Sequence, residues 1–306
     1  MTTRAGSPDF LFERRVRSGM TGGGSGTFRN GMLGAVLAAL VLSGCAESTA
    51  RGVRTGSVPI ENYTAEQIYG RAEFELNRRQ PKEAAHFFGE VERLYPYSDW
   101  AKRSLIMQAY AFHQAKDYEE ARSSAQRYID FYPTDDDAAY AQYLLALSYY
   151  DQIDEVGRDQ GLTFQALQAL RTVIERYPDT EYARSAVLKF DLAFDHLAAK
   201  EMEVGRYYLR HKHYTAAINR FRVVVEDFQT TSHTAEALHR LVEAYLSLGL
   251  NEEAQTAGAI LGYNYQSSVW YEDAYKLLTG RGLRAEAAGD SWLRKIYRQT
   301  VRGEWL

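Results

Sequence analysis

The chain has 306 residues, 36 basic and 40 acidic side chains, and a formal net charge of −4. That is length enough for two ordinary domains, and an acidic balance without a basic stripe makes a poor candidate for binding a nucleic-acid backbone, which needs clustered Lys and Arg. Its one cysteine excludes an internal disulfide, and a structural zinc site would need several Cys or His ligands in close spacing.

That cysteine ends the first element. Met32 to Leu42 is an apolar run of eleven residues, long enough for a secretory signal core and well short of the roughly 20 residues that span a bilayer. The four residues Leu42-Ser43-Gly44-Cys45 resemble the lipobox of bacterial lipoprotein signals, in which the cysteine sulfur takes a diacylglyceryl group. Cys45 is then the lipidation site, carrying diacylglycerol and an N-acyl chain, with palmitate as the expected type of acyl group. The other reading is a buried or free thiol after an ordinary signal peptide. In lipoproteins of this type an Asp after the cysteine favours retention at the inner membrane, so Ala46 implies passage to the outer membrane. Met20 is an alternative translation start. The expected organisation is a signal peptide over 1–44, a lipidated Cys45 and flexible tether over 45–63, a helical solenoid over 64–268 and a helical extension over 269–306. Removing the signal takes five Arg and two acids, which lowers the net charge to −7.

The solenoid is read from a repeat. Tyr-Pro recurs at Tyr95-Pro96, Tyr132-Pro133 and Tyr177-Pro178, and Phe228-Gln229 holds the same slot later. Each follows a segment with helical apolar spacing, such as Ala84, Phe87, Phe88, Val91 and Leu94, and proline stops the helix there. Thr64 with Gln67 has capping-box spacing, and Asp135-Asp136-Asp137 suits a helix N-terminus. Small residues recur twelve apart at Ala72 and Ala84, Ala109 and Ala121, and Gly205 and Ala217. That is tetratricopeptide spacing, because two antiparallel helices approach closely only where side chains are small. Ala146 with Ala166 fits if residues 151–161 carry an insertion, and Ala244 with Ala254 fits if the turn is short. Residues 182–212 read as one extended helix. The fold expected is all-α, a superhelical solenoid of about five tetratricopeptide (TPR) hairpins.

No catalytic pattern is found, so an enzyme is not expected. The seven histidines form no zinc pattern, the only glycine-rich tract lacks the Lys-Ser/Thr of a phosphate loop, and Asp135 to Asp137 lack calcium-loop spacing. Neither metal nor cofactor is expected beyond the lipid on Cys45. Tyrosine stands out instead, at 23 residues. First helices of TPR hairpins line the concave wall, and alignment of the units puts Tyr69, Glu73, Arg103, Ile106, Tyr110, His113, Tyr140, Tyr143, Leu147 and Tyr150 there. Tyrosine suits peptide binding because it combines apolar area with a hydroxyl and loses little entropy. The plainer reading is that these rings pack between hairpins.

The lipobox, the tether, five such units, and above all "HLAAKEMEVGRYYLRHKHYTAAINRFRVVVEDF" at 196–228 and "RLYPYSDWAKRSLIMQAYAFHQAKDYEEAR" at 93–122 together resemble the BamD family. These are lipoproteins of the outer-membrane β-barrel assembly (BAM) machinery. The resemblance covers roughly residues 45–268. It implies a non-enzymatic scaffold in the outer membrane, lipid-anchored and facing the periplasm of a Gram-negative bacterium. It also implies C-terminal units that dock on a periplasmic domain of BamA, further BAM lipoproteins as neighbours, and unfolded outer-membrane proteins as clients. The resemblance places partner contact at Tyr208, Asn219 and Arg220, with Arg220 expected to bond a partner carboxylate. The groove at Tyr69, Arg103, Tyr110, His113, Tyr143 and Tyr150 would receive aromatic-ended client segments. A second reading is a TPR lipoprotein that positions or activates cell-wall enzymes. The extension's Trp270, Trp292 and Trp305 are expected to cap the last hairpin or to meet a partner.

Overall fold

A computed structural model of the chain describes residues 59–303, all within one compact unit. The signal, Cys45, most of the tether and Trp305 lie outside the described residues. Among the described residues there are twelve α-helices and no strand: α1 (Ala65–Asn77), α2 (Pro81–Leu94), α3 (Asp99–Gln114), α4 (Tyr118–Phe131), α5 (Ala138–Tyr150), α6 (Gly161–Arg176), α7 (Glu181–Arg210), α8 (Tyr214–Asp227), α9 (Thr234–Leu248), α10 (Asn251–Asn264), α11 (Val269–Thr279) and α12 (Trp292–Arg302). Helices α1 to α10 pair in sequence into five hairpins, each packed on the next. The protein is a superhelical TPR solenoid. Its C-terminal end is closed by α11 and α12 lying on α9 and α10.

Small residues set the closeness of each hairpin. Ala72, Ala84, Ala109, Ala121, Ala146, Ala166, Ala217, Ala244 and Ala254 are all essentially inaccessible. A Cβ on Gly205 would lie 2.5 Å from Phe221 Cε1, so the α7–α8 crossing admits no side chain there. Phe88, Tyr128 and Phe221 fill the space between neighbouring hairpins at 0% exposure, each burial contributing on the order of 2 kcal/mol.

Two turn designs repeat. Within hairpins, Arg79, Lys116, Lys212 and Gly249 adopt positive φ of 60°, 63°, 62° and 77°. Each amide bonds three residues back, and the following amide bonds five back, as Asp117 does to Phe112 O at 2.9 Å. This is the Schellman closure, which satisfies the last carbonyls of the first helix. Between hairpins, a ring ends one helix and a polar residue three positions on opens the next: Tyr95 and Ser98, Tyr177 and Thr180, Tyr265 and Ser268. In these three the hydroxyl donates to the ring residue's carbonyl at 2.8 Å and accepts from the third amide of the new helix. Thr64 and Gln67 form the full capping box.

Three expectations need correction. Residues 59–63 belong to the fold and not to a tether, because Ile60–Asn62 is a 3-10 turn and the Tyr95 hydroxyl donates to Tyr63 O at 2.6 Å. Asp135 to Asp137 supply no side-chain cap to α5. Asp135 instead turns back to the preceding hairpin, where it accepts from the Tyr128 hydroxyl at 2.6 Å and from Lys102. The chain also does carry a basic stripe, on α12, which holds four cations and no acid.

Candidate functional site

The residues expected on the first-helix wall divide between the packed core and two clusters nearer the surface. Ile106 and Tyr140 are 4% and 2% exposed and belong to the core between hairpins two and three. Tyr110 packs half-buried against the same cluster, and Tyr143 lies 5.7 Å from Tyr182, half-buried in the next. For these two the packing role accounts for most of the ring.

The remaining wall residues form two clusters. On α1 and α3, the Tyr69 ring sits 5.2 Å from Phe88 and 5.0 Å from Trp100, and the exposed Arg103 guanidinium lies 5.4 Å from the Trp100 ring. Burial pushes the Tyr69 phenol up to about 12, with Glu73 adding to the rise and Arg103 opposing it. The phenol is therefore a neutral donor or acceptor at any physiological pH. At the second cluster, His113 Nε2 lies 3.1 Å from Asp151 Oδ2 and its ring 5.5 Å from Tyr118, while Lys189 Nζ sits 5.2 Å over Tyr150. Burial, and then the Asp151 charge, raise both Tyr118 and Tyr150 above the ordinary phenol value. The arrangement presents aromatic edges, one exposed guanidinium and one imidazole–carboxylate pair. It can hold an extended, partly aromatic segment by stacking and hydrogen bonding, and it holds no nucleophile–base pair.

Tyr208, Asn219 and Arg220 are brought together. Tyr208 comes from α7, and Ala216, Asn219, Arg220 and Val223 come from α8; the five line one shallow depression. Asn219 and Arg220 are exposed. Arg220 Nη1 donates to Glu201 Oε2 at 3.0 Å, a pairing not foreseen. This holds the guanidinium in place while its other edge stays available.

Glu201, Trp100, Asp151 and Lys189 were missed. Glu201 was within reach of register: four residues back from Gly205 on α7 and three forward from Ala217 on α8 meet across the crossing. Asp151 and Lys189 were not, because each meets a ring of the preceding hairpin, far back in the chain.

Residues 61–260 match a family model described as outer membrane lipoprotein, YfiO. The outer membrane protein assembly factor BamD of Caulobacter vibrioides is 49% identical over 252 residues, 82% of this chain and 81% of that one. BamD of Rickettsia prowazekii is 44% identical over 211 residues, 69% of this chain and 84% of that one. BamD of Neisseria meningitidis serogroup A is 28% identical over 78% of this chain and 92% of that one. A solved TPR protein of Thermus thermophilus is 16% identical over 71% of this chain and 100% of that one at a TM-score of 0.33, a likeness that adds nothing to the packing described above.

Proposed function

The chain belongs to the BamD family of outer membrane protein assembly factors, and on that premise we propose that it is a non-enzymatic scaffold of the outer-membrane β-barrel assembly complex. It is anchored by lipid on Cys45 at the periplasmic side of the outer membrane. It docks on the periplasmic domain of BamA through the α7–α8 face and receives unfolded outer-membrane proteins along the first-helix clusters.

One observation supports the docking role above the others. Tyr208, Asn219 and Arg220 come from two helices, yet they line one depression with the guanidinium exposed and braced by Glu201. An exposed arginine in an ordinary surface pair contributes at most about 1 kcal/mol. One braced beside a half-buried tyrosine can place a bidentate bond on a partner carboxylate.

The test is an isotherm of the mature protein with the BamA periplasmic domain. Arg220→Glu is expected to weaken association by at least about 2 kcal/mol, since it removes the bond and repels the carboxylate. An unchanged isotherm removes Arg220 from the interface, and no binding by the wild type removes the docking role. The anchor has its own test. Cys45→Ala is expected to leave the protein in the soluble fraction after cell lysis, and its continued sedimentation with membranes would contradict lipidation at this residue.

A further inference from the structure

The last helix carries four cations and no acid. Across α12, Arg294, Arg298 and Arg302 recur every four residues, with Lys295 beside them, and the helix has no acidic residue. Residues at this spacing share one face. The opposite face carries Leu293 and Ile296, 0% and 7% exposed, which close the core of the fifth hairpin with Trp292 and Tyr297. In a chain with a net charge of −4, four cations on three turns are an exception. Two members of the stripe have contacts of their own. Arg294 donates to Gly289 O at 2.8 Å, and the Arg302 guanidinium lies 5.9 Å from the Tyr297 ring.

The helix begins against the proposed docking helix. Arg222 lies on α8 between Arg220 and Val223, and its guanidinium sits 4.9 Å from the Trp292 ring. The Trp292 indole in turn donates to the Tyr245 hydroxyl of α9 at 3.0 Å. The start of the cationic helix is thereby fixed beside the helix that carries Asn219 and Arg220.

We infer that the Arg294–Arg298–Arg302 stripe with Lys295 extends the α8 docking face and receives a carboxylate-rich surface of the same protein partner that engages Arg220. This rests on the docking role proposed above. A bilayer is the lesser fit. Basic amphipathic helices bind membranes by inserting their apolar face, and here that face is already buried under the fifth hairpin. Three of the four cations are arginines, whose forked donors match carboxylates in pairs.

The test compares the mature protein with Lys295→Glu/Arg302→Glu, both exposed positions, and with Lys295→Gln/Arg302→Gln. Binding to the purified BamA periplasmic domain is measured at low and high salt, with retention of the corresponding Cys45→Ala forms, which lack the lipid, on phosphatidylglycerol vesicles alongside and thermal unfolding as the folding control. Charge reversal is expected to weaken BamA binding roughly tenfold at low ionic strength, the glutamine pair is expected to fall between, and both differences should shrink in high salt. If reversal leaves the isotherm unchanged while Arg220→Glu weakens it, the stripe is not part of the interface and the docking role stands. If neither set of changes matters, neither Arg220 nor the stripe belongs to the interface and the inference fails, whereas absence of binding by the wild type removes the docking role itself. Loss of vesicle retention with BamA binding intact would assign the stripe to the bilayer and overturn the inference.

Discussion

Asp135 ties two hairpins together through one carboxylate. Burial by itself would raise its pKa, but hydrogen bonds from Lys102, from the Tyr128 hydroxyl and from the Asp137 amide outweigh burial and hold it below the ordinary 3.8. A folded pKa below the unfolded one means that the stabilisation is present above about pH 4 and is lost as the pH falls through the lower folded value. Asp135→Asn is therefore expected to cost about 1.5–3 kcal/mol at pH 7. In urea titrations the gap from the wild type should narrow at pH 3, and a gap that stays constant would show that the charge is not what the site uses. The residue also shows where sequence reading stops. Three consecutive aspartates before a helix read locally as a cap, whereas the partners that claim Asp135 lie seven and 33 residues away. Arg79, Lys116 and Lys212 were equally illegible as turn centres, because neither residue type favours positive φ. The capping box at Thr64 was legible because both of its partners lie within one turn.

Among elements, α12 behaves as a lid fastened from both sides. Its apolar face joins the core of the fifth hairpin, Trp292 bonds Tyr245, and the Thr256 hydroxyl is held between Glu252 O and Ala288 O in the segment leading to α12. Solenoids need such ends, since a terminal hairpin otherwise exposes the face it would have given to a neighbour. The sequence offered the alternatives of a cap or a partner contact for these tryptophans. The geometry gives Trp292 to the cap, and Trp270 also packs inward, 5.5 Å from His239 and 5.3 Å from the Arg240 guanidinium. Leu293→Ala is expected to cost about 2–5 kcal/mol at this 0% exposed position. By hydrogen exchange the loss should appear first in α9 to α12, with the first three hairpins little changed. Equal loss of protection throughout would mean that α12 is not a local lid.

At the scale of the whole molecule, α7 is the longest element among the described residues, and it joins the third hairpin to the fourth. Its 30 residues span about 45 Å, the first half packing on α6 and the second on α8. The solenoid itself was readable because its stops and small residues recur at fixed spacing, and the length of α7 because no stop interrupts it. What could not be read is why the helix stays continuous. At its middle, Phe190 and Phe194 join Leu167, Ala193, Leu197 and Phe228 in one cluster, and Asp195 accepts from the Ser232 amide at 3.0 Å and hydroxyl at 2.8 Å. These contacts bind the centre of α7 to both neighbours. Repeat proteins unfold as one unit only when the coupling between neighbours exceeds the difference in their own stabilities, so α7 is where cooperativity can be cut. Ala199→Pro breaks the helix just past the cluster and costs about 3 kcal/mol in an interior turn. The wild type is expected to unfold in urea in a single transition. The proline variant is expected to unfold in two, with α8 to α12 opening separately from α1 to α6 by hydrogen exchange. A single transition displaced to lower urea would instead assign the coupling to the Phe194–Phe228 and Asp195–Ser232 side-chain contacts, on the N-terminal side of the break.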